Sequence, residues 1–275
     1  MCNERKISKF FKIIIGLFVA ALFLFPMFML LLASFKSQKN IFLDVIGWPK
    51  PIVLTNYGEA MKRMDYGSAL WNLLWITIVA TIIIIIFTSM ASWVLVRYKT
   101  RVSKVLFYVF AISMLIPFQC VMLPLMSTLS KLDLLNPKGL IFAYLGFGSP
   151  LSIILYHGFI KGIPAELEEA AAIDGCSMFR TFWGVVFPLL SPITMTVAIL
   201  NIMWIWNDYL LPSLVIGSNV QWNTLPLKTF FFFGQFSSRW DYASAGLIMS
   251  IIPIIIFYLA AQKKIIKGVV DGAIK

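Results

Sequence analysis

Thr81-Ile82-Ile83-Ile84-Ile85-Ile86-Phe87 lies inside an uncharged run of 27 residues, Leu70–Val96. A transmembrane β-strand would alternate apolar and polar residues over about ten positions, and these seven residues do not alternate. In a helix, about 20 consecutive apolar residues cross the roughly 30 Å of hydrocarbon in a bilayer. The run therefore predicts a membrane-spanning helix.

The composition extends this interpretation to the whole chain. Of 275 residues, 60% are hydrophobic and only 13% are charged, and the mean hydropathy is +0.88. A soluble domain of this length cannot bury so much apolar side chain, so lipid must be part of its solvent. We predict an all-α membrane protein with six transmembrane helices. The predicted spans are Ile13–Phe35, Leu70–Val96, Val105–Ser130, Gly139–Ile160, Leu189–Gly217 and Tyr242–Gln262.

Lysine and arginine residues in the connections predict the orientation. With the N-terminus inside, the inner segments hold 14 basic residues and the outer segments hold 9. The clearest signals are the basic runs Arg97–Lys104 and Lys263–Lys267, both of which adjoin a span. The net charge of +11 is therefore attributed to the basic residues that set the orientation in the membrane. We expect no binding of nucleic acid. We expect both termini in the cytoplasm and the first span to be an uncleaved anchor.

A polar segment, residues 161–188, separates the fourth and fifth predicted spans. It carries four carboxylates against two basic residues, whereas a loop that rests on lipid headgroups is expected to be basic. Pro164 suits the first turn of a helix, and the carboxylates that follow lie near the positive end of its dipole. Gly175 predicts a left-handed residue that ends this helix, and Ser177 predicts the N-cap of a second one.

The second helix of this segment carries an apolar stripe at helical spacing. An aromatic stripe beside an acidic helix favours insertion into a groove of a protein partner, and the alternative is an amphipathic loop that rests on the membrane surface. Pro188 is expected to close the helix. The stripe consists of Phe179, Phe182, Trp183, Val186 and Phe187.

Asp208 is the only acidic residue inside any predicted span. An ionisable group at the bilayer centre costs about 2.5–3.5 kcal/mol on insertion scales, so it usually faces the interior of a bundle. Asn201, Trp204 and Asp208 share one helical face, which suits a hydroxyl-rich ligand. Alternatively, Asp208 fixes a contact between helices or lies near the outer surface. Candidates for the lining of a translocation path are Gln119, Asn201, Trp204, Asn207 and Asp208.

Several motifs resemble one known family. The segment Ile163–Gly175 resembles the Glu-Ala-Ala loop of permease subunits of bacterial ATP-driven (ABC) importers, in their sugar-importing branch. Leu115-Ile116-Pro117 and Leu132–Asn136 resemble the third span and outer loop of that branch, and Thr55-Asn56-Tyr57 resembles its first outer loop with altered spacing. The resemblance implies the ABC importer type I permease fold and docking of 161–188 on an ATPase. The residues implied to couple are Glu166, Glu169, Ala170, Ala171, Asp174, Gly175, Phe179 and Pro188.

The resemblance also implies the partners and the location. These are a second permease subunit in a heterodimer, two ATPase subunits and an extracytoplasmic solute-binding protein, in a bacterial inner membrane. The chain has no phosphate-binding Gly-x-x-x-x-Gly-Lys-Ser/Thr loop, so we expect ATP and magnesium on the partner and no catalytic or metal site here.

The expected activity is import of sugars or oligosaccharides. The alternative is a secondary transporter driven by an ion gradient, which would favour several ionisable groups within the spans. The predicted organisation is an N-terminal tail, first span and outer loop (1–69), a permease core with the coupling loop (70–262), and a cytoplasmic tail (263–275).

Overall fold

The computed structural model describes residues 2–234 and 238–273, with side chains for 11–234 and 238–262. Within these ranges the chain forms helices and a single isolated bridge, Phe233–Ser238, and no strand, which confirms the predicted all-α class. The last two residues of the predicted tail, 274–275, lie outside the described residues. The α-helices are α1 (Cys2–Ser34), α2 (Gln38–Leu43), α3 (Thr55–Arg63), α4 (Tyr66–Arg97), α5 (Arg101–Ser113), α6 (Phe118–Lys131), α7 (Pro137–Ile160), α8 (Glu166–Ile173), α9 (Met178–Thr181), α10 (Phe187–Leu189), α11 (Ser191–Asn207), α12 (Leu210–Val215), α13 (Leu225–Phe230) and α14 (Trp240–Ala273).

Four helices in the described ranges are long and apolar enough to cross a membrane by themselves. They are Phe11–Ser34 of α1, all of α4, all of α7, and Trp240–Gln262 of α14. Two further spans are bent pairs, in which α5 and α6 meet at 107° and residues 178–189 meet α11 at 78°. If each bent pair counts as one span, the number is six, in agreement with the sequence prediction.

Two predicted spans have the wrong extent. The span predicted for Val105–Ser130 is broken at 114–117, because Pro117 lacks an N–H group and restricts the residue before it. The span predicted for Leu189–Gly217 is interrupted at Asp208, whose backbone is extended. The Asp208 carboxylate accepts hydrogen bonds from the backbone N–H groups of Leu210 (3.0 Å) and Leu211 (3.4 Å), so it caps α12.

The chain divides into two compact units. One comprises residues up to 66 together with 228–253, and the other comprises 67–227 with the residues from 254 onward. The second unit contains the acidic segment and all five candidates for the translocation path. Its core has two hydrophobic clusters, one that includes Ile76, Tyr144 and Leu211, and one that includes Trp93 and Phe182.

In the first unit, buried Asn56 holds the chain that follows α1 against the start of α3. Its amide nitrogen donates to the carbonyl oxygens of Ser34 (3.0 Å) and Lys36 (2.8 Å). The buried Lys36 ammonium in turn donates to the carbonyl oxygens of Asp44 (2.7 Å) and Val45 (3.1 Å). These bonds fix an irregular connection that has few helical hydrogen bonds of its own.

Asn56→Ala is expected to destabilise the protein by about 2 kcal/mol, because two buried carbonyl groups lose their donor. Thermal unfolding in mild detergent measures this loss. Asn40→Ala is the control, since the Asn40 amide donates to the Lys50 carbonyl (3.0 Å) at an exposed position. Equal destabilisation by the two variants would contradict the role given to Asn56.

Candidate functional site

The acidic segment forms two helical arms around a glycine elbow. The first arm is α8, and the second runs through α9, a π-helical turn at Phe182–Val186, and α10. Gly175 has φ +80°, its N–H donates to the Ala172 carbonyl (3.0 Å), and the Cys176 N–H donates to the Ala171 carbonyl (3.0 Å). This is the double hydrogen bond of a Schellman motif, which confirms the predicted left-handed helix end.

The other predicted helix boundaries in the segment are partly wrong. Ser177 is the N-cap of α9, as predicted, and its hydroxyl accepts from the Arg180 N–H (3.4 Å). Pro164, however, precedes α8, whose N-cap is Ala165. Pro188 lies inside α10, which continues the π-helical turn and ends one residue later, so Pro188 does not itself end the arm.

Glu168 anchors the first arm to the end of α4. Arg97 Nη2 lies 2.7 Å from Glu168 Oε1, and Arg97 Nε donates to the same oxygen (2.8 Å). The indole nitrogen of Trp93 donates to Glu168 Oε2 (2.8 Å), and Arg97 Nη2 also donates to the Ile163 carbonyl (3.0 Å). The two charged side chains are only 18% and 13% exposed, so solvent screens the pair weakly.

The second arm is held by the apolar stripe, which faces inward. Phe182 and Val186 are fully buried, and they belong to the cluster around Trp93, with the Trp93 and Phe182 rings 5.3 Å apart. Trp183 and Phe187 are partly buried against the same cluster, so Phe179 is the one exposed residue of the five. The predicted insertion of the stripe into a partner's groove is therefore wrong for four of its residues, which pack against α4 and α7 of the same chain, and it stays a prediction for Phe179.

The exposed surface of the segment is acidic and also carries several exposed apolar side chains. Ile173 is 87% exposed and Phe179 is 65% exposed, while Leu167 and Met178 are also largely exposed. Ala171 is buried, on the helix α8 that packs against the second arm. The other residues implied to couple lie on the surface, namely Glu166, Glu169, Ala170, Asp174, Gly175, Phe179 and Pro188.

Two features of this segment escaped the sequence analysis. Composition does not distinguish Glu168 from the other three carboxylates, although Glu168 lies three residues before the small Ala171 and therefore on the same helical face. The exposure of Ile173 has no signal in the sequence, since single apolar residues are common on helix surfaces. The three-residue spacing of Glu168 and Ala171 is the signal in the sequence that indicates an inward-facing Glu168.

A cavity of about 700 Å³ lies in the same unit, where the break between α5 and α6 faces α7 and α11. Its walls are mostly apolar, with Ser113, Ser149 and Asn201 as polar contributors and Trp204 as an aromatic one. A broken helix at membrane depth is tolerated where it lines a cavity, because the freed backbone groups then meet water or ligand. Gln119, Asn207 and Asp208 are not among the described residues that line this cavity.

Asn201, Trp204 and Asp208, which were predicted to share one face, therefore have different surroundings. Asn201 and Trp204 line the cavity, and Asp208 does not. The Asn201 amide nitrogen donates to Ser152 Oγ (3.1 Å) and to the Val197 carbonyl (2.8 Å), so it joins α11 to α7. Tyr144 donates its hydroxyl to Asp208 Oδ2 (3.1 Å), and its ring meets the Trp204 ring edge-on at 5.4 Å.

The candidates for the translocation path differ in their contacts and in their exposure. The geometry matches the alternative in which Asp208 fixes a contact between helices. Trp204 remains 40% exposed, and the amide of exposed Asn207 donates to the Met203 carbonyl (2.7 Å) of its own helix. Gln119 is exposed as well. In the described part of the chain no three metal-ligating side chains cluster.

Comparisons with known proteins agree with this architecture. The probable starch degradation products transport system permease protein AmyC of Thermoanaerobacterium thermosulfurigenes is 44% identical over 98% of both chains. The multiple sugar-binding transport system permease protein MsmG of Streptococcus mutans is 34% identical over the full length of both. The melibiose/raffinose/stachyose import permease protein MelC of Bacillus subtilis is 34% identical over 94% of this chain and 93% of that protein.

A solved structure matches the fold. It is a bacterial ABC transporter involved in the import of the acidic polysaccharide alginate, matched with a TM-score of 0.78 and 23% identity over 95% of this chain and 97% of that one. Residues 84–270 match the family model described as the inner membrane component of binding-protein-dependent transport systems. This chain is a member of that family of inner membrane transport components.

Proposed function

We propose that this chain is the permease subunit of an ATP-driven importer of sugars or oligosaccharides, and that residues 161–188 couple it to an ATPase subunit. The observation that carries the proposal is a surface segment with an exposed acidic and apolar tip and a base built into the membrane-spanning core. The names of the relatives support the class of substrate, since they refer to starch degradation products, to multiple sugars and to raffinose-type oligosaccharides.

The two parts of the segment have different tasks in this proposal. Its base moves with α4 and α7, because the Glu168–Arg97 ion pair and the buried Phe182 and Val186 connect it to them. Its tip presents Ile173 and Phe179 with acidic side chains around them, a surface suited to an apolar groove with basic rims. Displacement of the tip by a partner would therefore be transmitted to the spans as a nearly rigid motion.

The other partners follow from this assignment. A second permease subunit completes the translocation path, and a heterodimer with two ATPase subunits is the expected assembly. An external solute-binding protein delivers the substrate. ATP and magnesium bind the ATPase subunits, so this chain has no catalytic role. The charge bias of the connections supports a cytoplasmic position for both termini and for residues 161–188.

Co-purification tests the coupling surface. The tagged chain is extracted in mild detergent from cells that hold the complete importer, as wild type and as Glu169→Lys. The exposed Glu169 is expected to meet a basic rim, so the wild type should recover an ATP-hydrolysing subunit near one to one and the variant should lose it. Glu59→Lys, which reverses an exposed charge on α3, is the control and should retain the ATPase. An ATPase that is absent from the wild type, or retained by Glu169→Lys, counts against the proposal.

Trp204→Ala is expected to raise the KM for sugar uptake by about tenfold. An exposed indole that lines a cavity is a platform on which the apolar face of a sugar ring stacks, worth roughly 1 kcal/mol or more. Leu200→Ala is a matched control on the same helix, since Leu200 lines the same cavity and is 41% exposed. Uptake kinetics at equal membrane abundance measure the difference, and equal KM values for the two variants would remove Trp204 from the path.

A further inference from the structure

A second cavity, of about 760 Å³, lies where α4 and α7 end and α5 begins. It does not share lining residues with the cavity beside Trp204. Of the twelve described residues that line it, four are basic and none is acidic. The basic residues are Arg97, Lys99, Lys104 and Lys161.

A buried histidine without a hydrogen-bond partner lies in the wall of this cavity. His157 is 9% exposed, and its ring stacks on Phe107 with 3.9 Å between centroids and 21° between planes. Neither ring nitrogen has a hydrogen-bond partner in residues 11–234 and 238–262. The ring nitrogens are not among the polar atoms that are sealed from solvent without a partner, so they are open to the cavity and can pair with a group bound there.

The start of α5 contributes further positive potential. Thr100 is the N-cap of this 13-residue helix, its hydroxyl accepts from the Ser103 N–H (3.1 Å), and Thr100, Ser103 and Lys104 all line the cavity. The N-terminal end of a helix carries partial positive charge and presents backbone N–H groups to anions. Cationic side chains, a helix start and an unpartnered imidazole line one space, and such a set of donors is suited to a phosphate group.

The surroundings of the cavity identify the source of that phosphate group. Leu95, Val96, Phe107 and Tyr108 supply apolar wall beside the cations. Along α5, five apolar side chains outside the cavity are exposed, which suits contact with acyl chains. These are Val102, Val105, Leu106, Val109 and Ile112. A soluble phosphate would contact only the cationic cavity. A phospholipid has a phosphate for the cavity and acyl chains for the apolar surface of α5.

We propose that this cavity binds the phosphate headgroup of an anionic phospholipid, whose acyl chains lie along α5. Its place in the cytoplasmic leaflet rests on the orientation given under the proposed function, where anionic lipids attract basic residues near the surface. Arg97 lines the cavity while it holds Glu168, and Ala165 lines it just before α8. The bound headgroup therefore supports the base of the 161–188 segment from the membrane side.

Native mass spectrometry of the full-length chain in neutral detergent tests the site. The added probes are phosphatidylglycerol and phosphatidylcholine with identical acyl chains, and the variant is the double substitution Lys104→Gln and Lys161→Gln. The control is Lys131→Gln with Lys138→Gln, which removes two exposed lysines elsewhere in the same unit. His157→Phe is a further variant that preserves an aromatic ring against Phe107 and removes the nitrogens.

The wild type and the control should retain phosphatidylglycerol over phosphatidylcholine, and the lysine double variant should bind phosphatidylglycerol roughly tenfold more weakly. His157→Phe should weaken it severalfold, without change in phosphatidylcholine binding. Equal retention of the two lipids by the wild type, or equal losses in the two double variants, would overturn the site. Displacement of the lipid by millimolar glycerol phosphate would overturn the lipid assignment and leave a site for soluble phosphate esters. None of these readouts depends on an ATPase, so the proposed function stands or fails separately.

Discussion

Glu168→Ala is expected to destabilise the protein by about 3 kcal/mol and to reduce transport at least roughly tenfold, whereas Glu169→Ala leaves the fold intact. Removal of one partner from a poorly solvated ion pair leaves the other charge uncompensated. Here the remaining Arg97 guanidinium loses both bonds to the carboxylate, and the Trp93 indole N–H loses its acceptor. The first arm of the 161–188 segment then loses its polar connection to α4.

Glu169, the neighbour of Glu168 in the sequence, is the matched control. Glu169 is exposed and has no role in the anchor, so Glu169→Ala should affect only the association with an ATPase subunit. Glu168→Gln keeps an oxygen that accepts a hydrogen bond, and its loss should lie between the other two. Thermal unfolding in detergent and transport at matched abundance are both measured. If Glu168→Ala is as stable as Glu169→Ala, the carboxylate contributes little, and the segment is held by its apolar arm and by the Arg97–Ile163 hydrogen bond.

The sequence predicts best those features that arise from local chemistry. The uncharged run 70–96 gives a membrane helix because backbone groups in lipid must be paired within the segment. Gly175 and Ser177 give a helix end and a helix start because their conformations and side chains satisfy the backbone groups next to them. Both predictions depend on residues within a few positions of the feature.

The features that were predicted poorly depend on contacts between distant residues. Phe182 and Val186 have the same helical spacing whether they face a partner or the core of their own chain. Their burial depends on the position of Trp93, which is distant in the sequence. Hydropathy continues through Asp208, although its carboxylate caps α12 and accepts from Tyr144 on α7. Periodicity places a side chain on a face of its helix, and it does not tell what that face meets.

The break between α5 and α6 illustrates a further limit. Proline is common in membrane helices and is often accommodated by a small kink, so Pro117 alone does not predict a bend of 107°. The two halves are separated by four residues, 114–117, and the cavity beside Trp204 lies against them. Whether proline kinks a helix or breaks it depends on whether neighbouring groups can pair the freed backbone.

Gly175→Val is expected to abolish transport while the protein is still made and inserted normally. The backbone at Gly175 has φ +80°, where a residue with a side chain is strained by roughly 1–2 kcal/mol, and a β-branched one by more. A methyl group placed at this position meets no atom within 4 Å. The strain is therefore conformational and does not arise from a clash, so the elbow must change its angle to relieve it.

A changed elbow separates the surface that binds the ATPase from the base that moves the spans. The tip residues Ile173 and Phe179 lie on opposite arms, so their spacing depends on the conformation of Gly175. Gly175→Asn is the matched control, because asparagine adopts left-handed conformations more readily than other side chains, and it should keep most of the transport activity. Uptake and substrate-stimulated ATP hydrolysis are measured in proteoliposomes at equal abundance. Normal uptake by Gly175→Val would mean that the elbow angle does not matter for coupling, since any compliant linker between the arms would then serve as well.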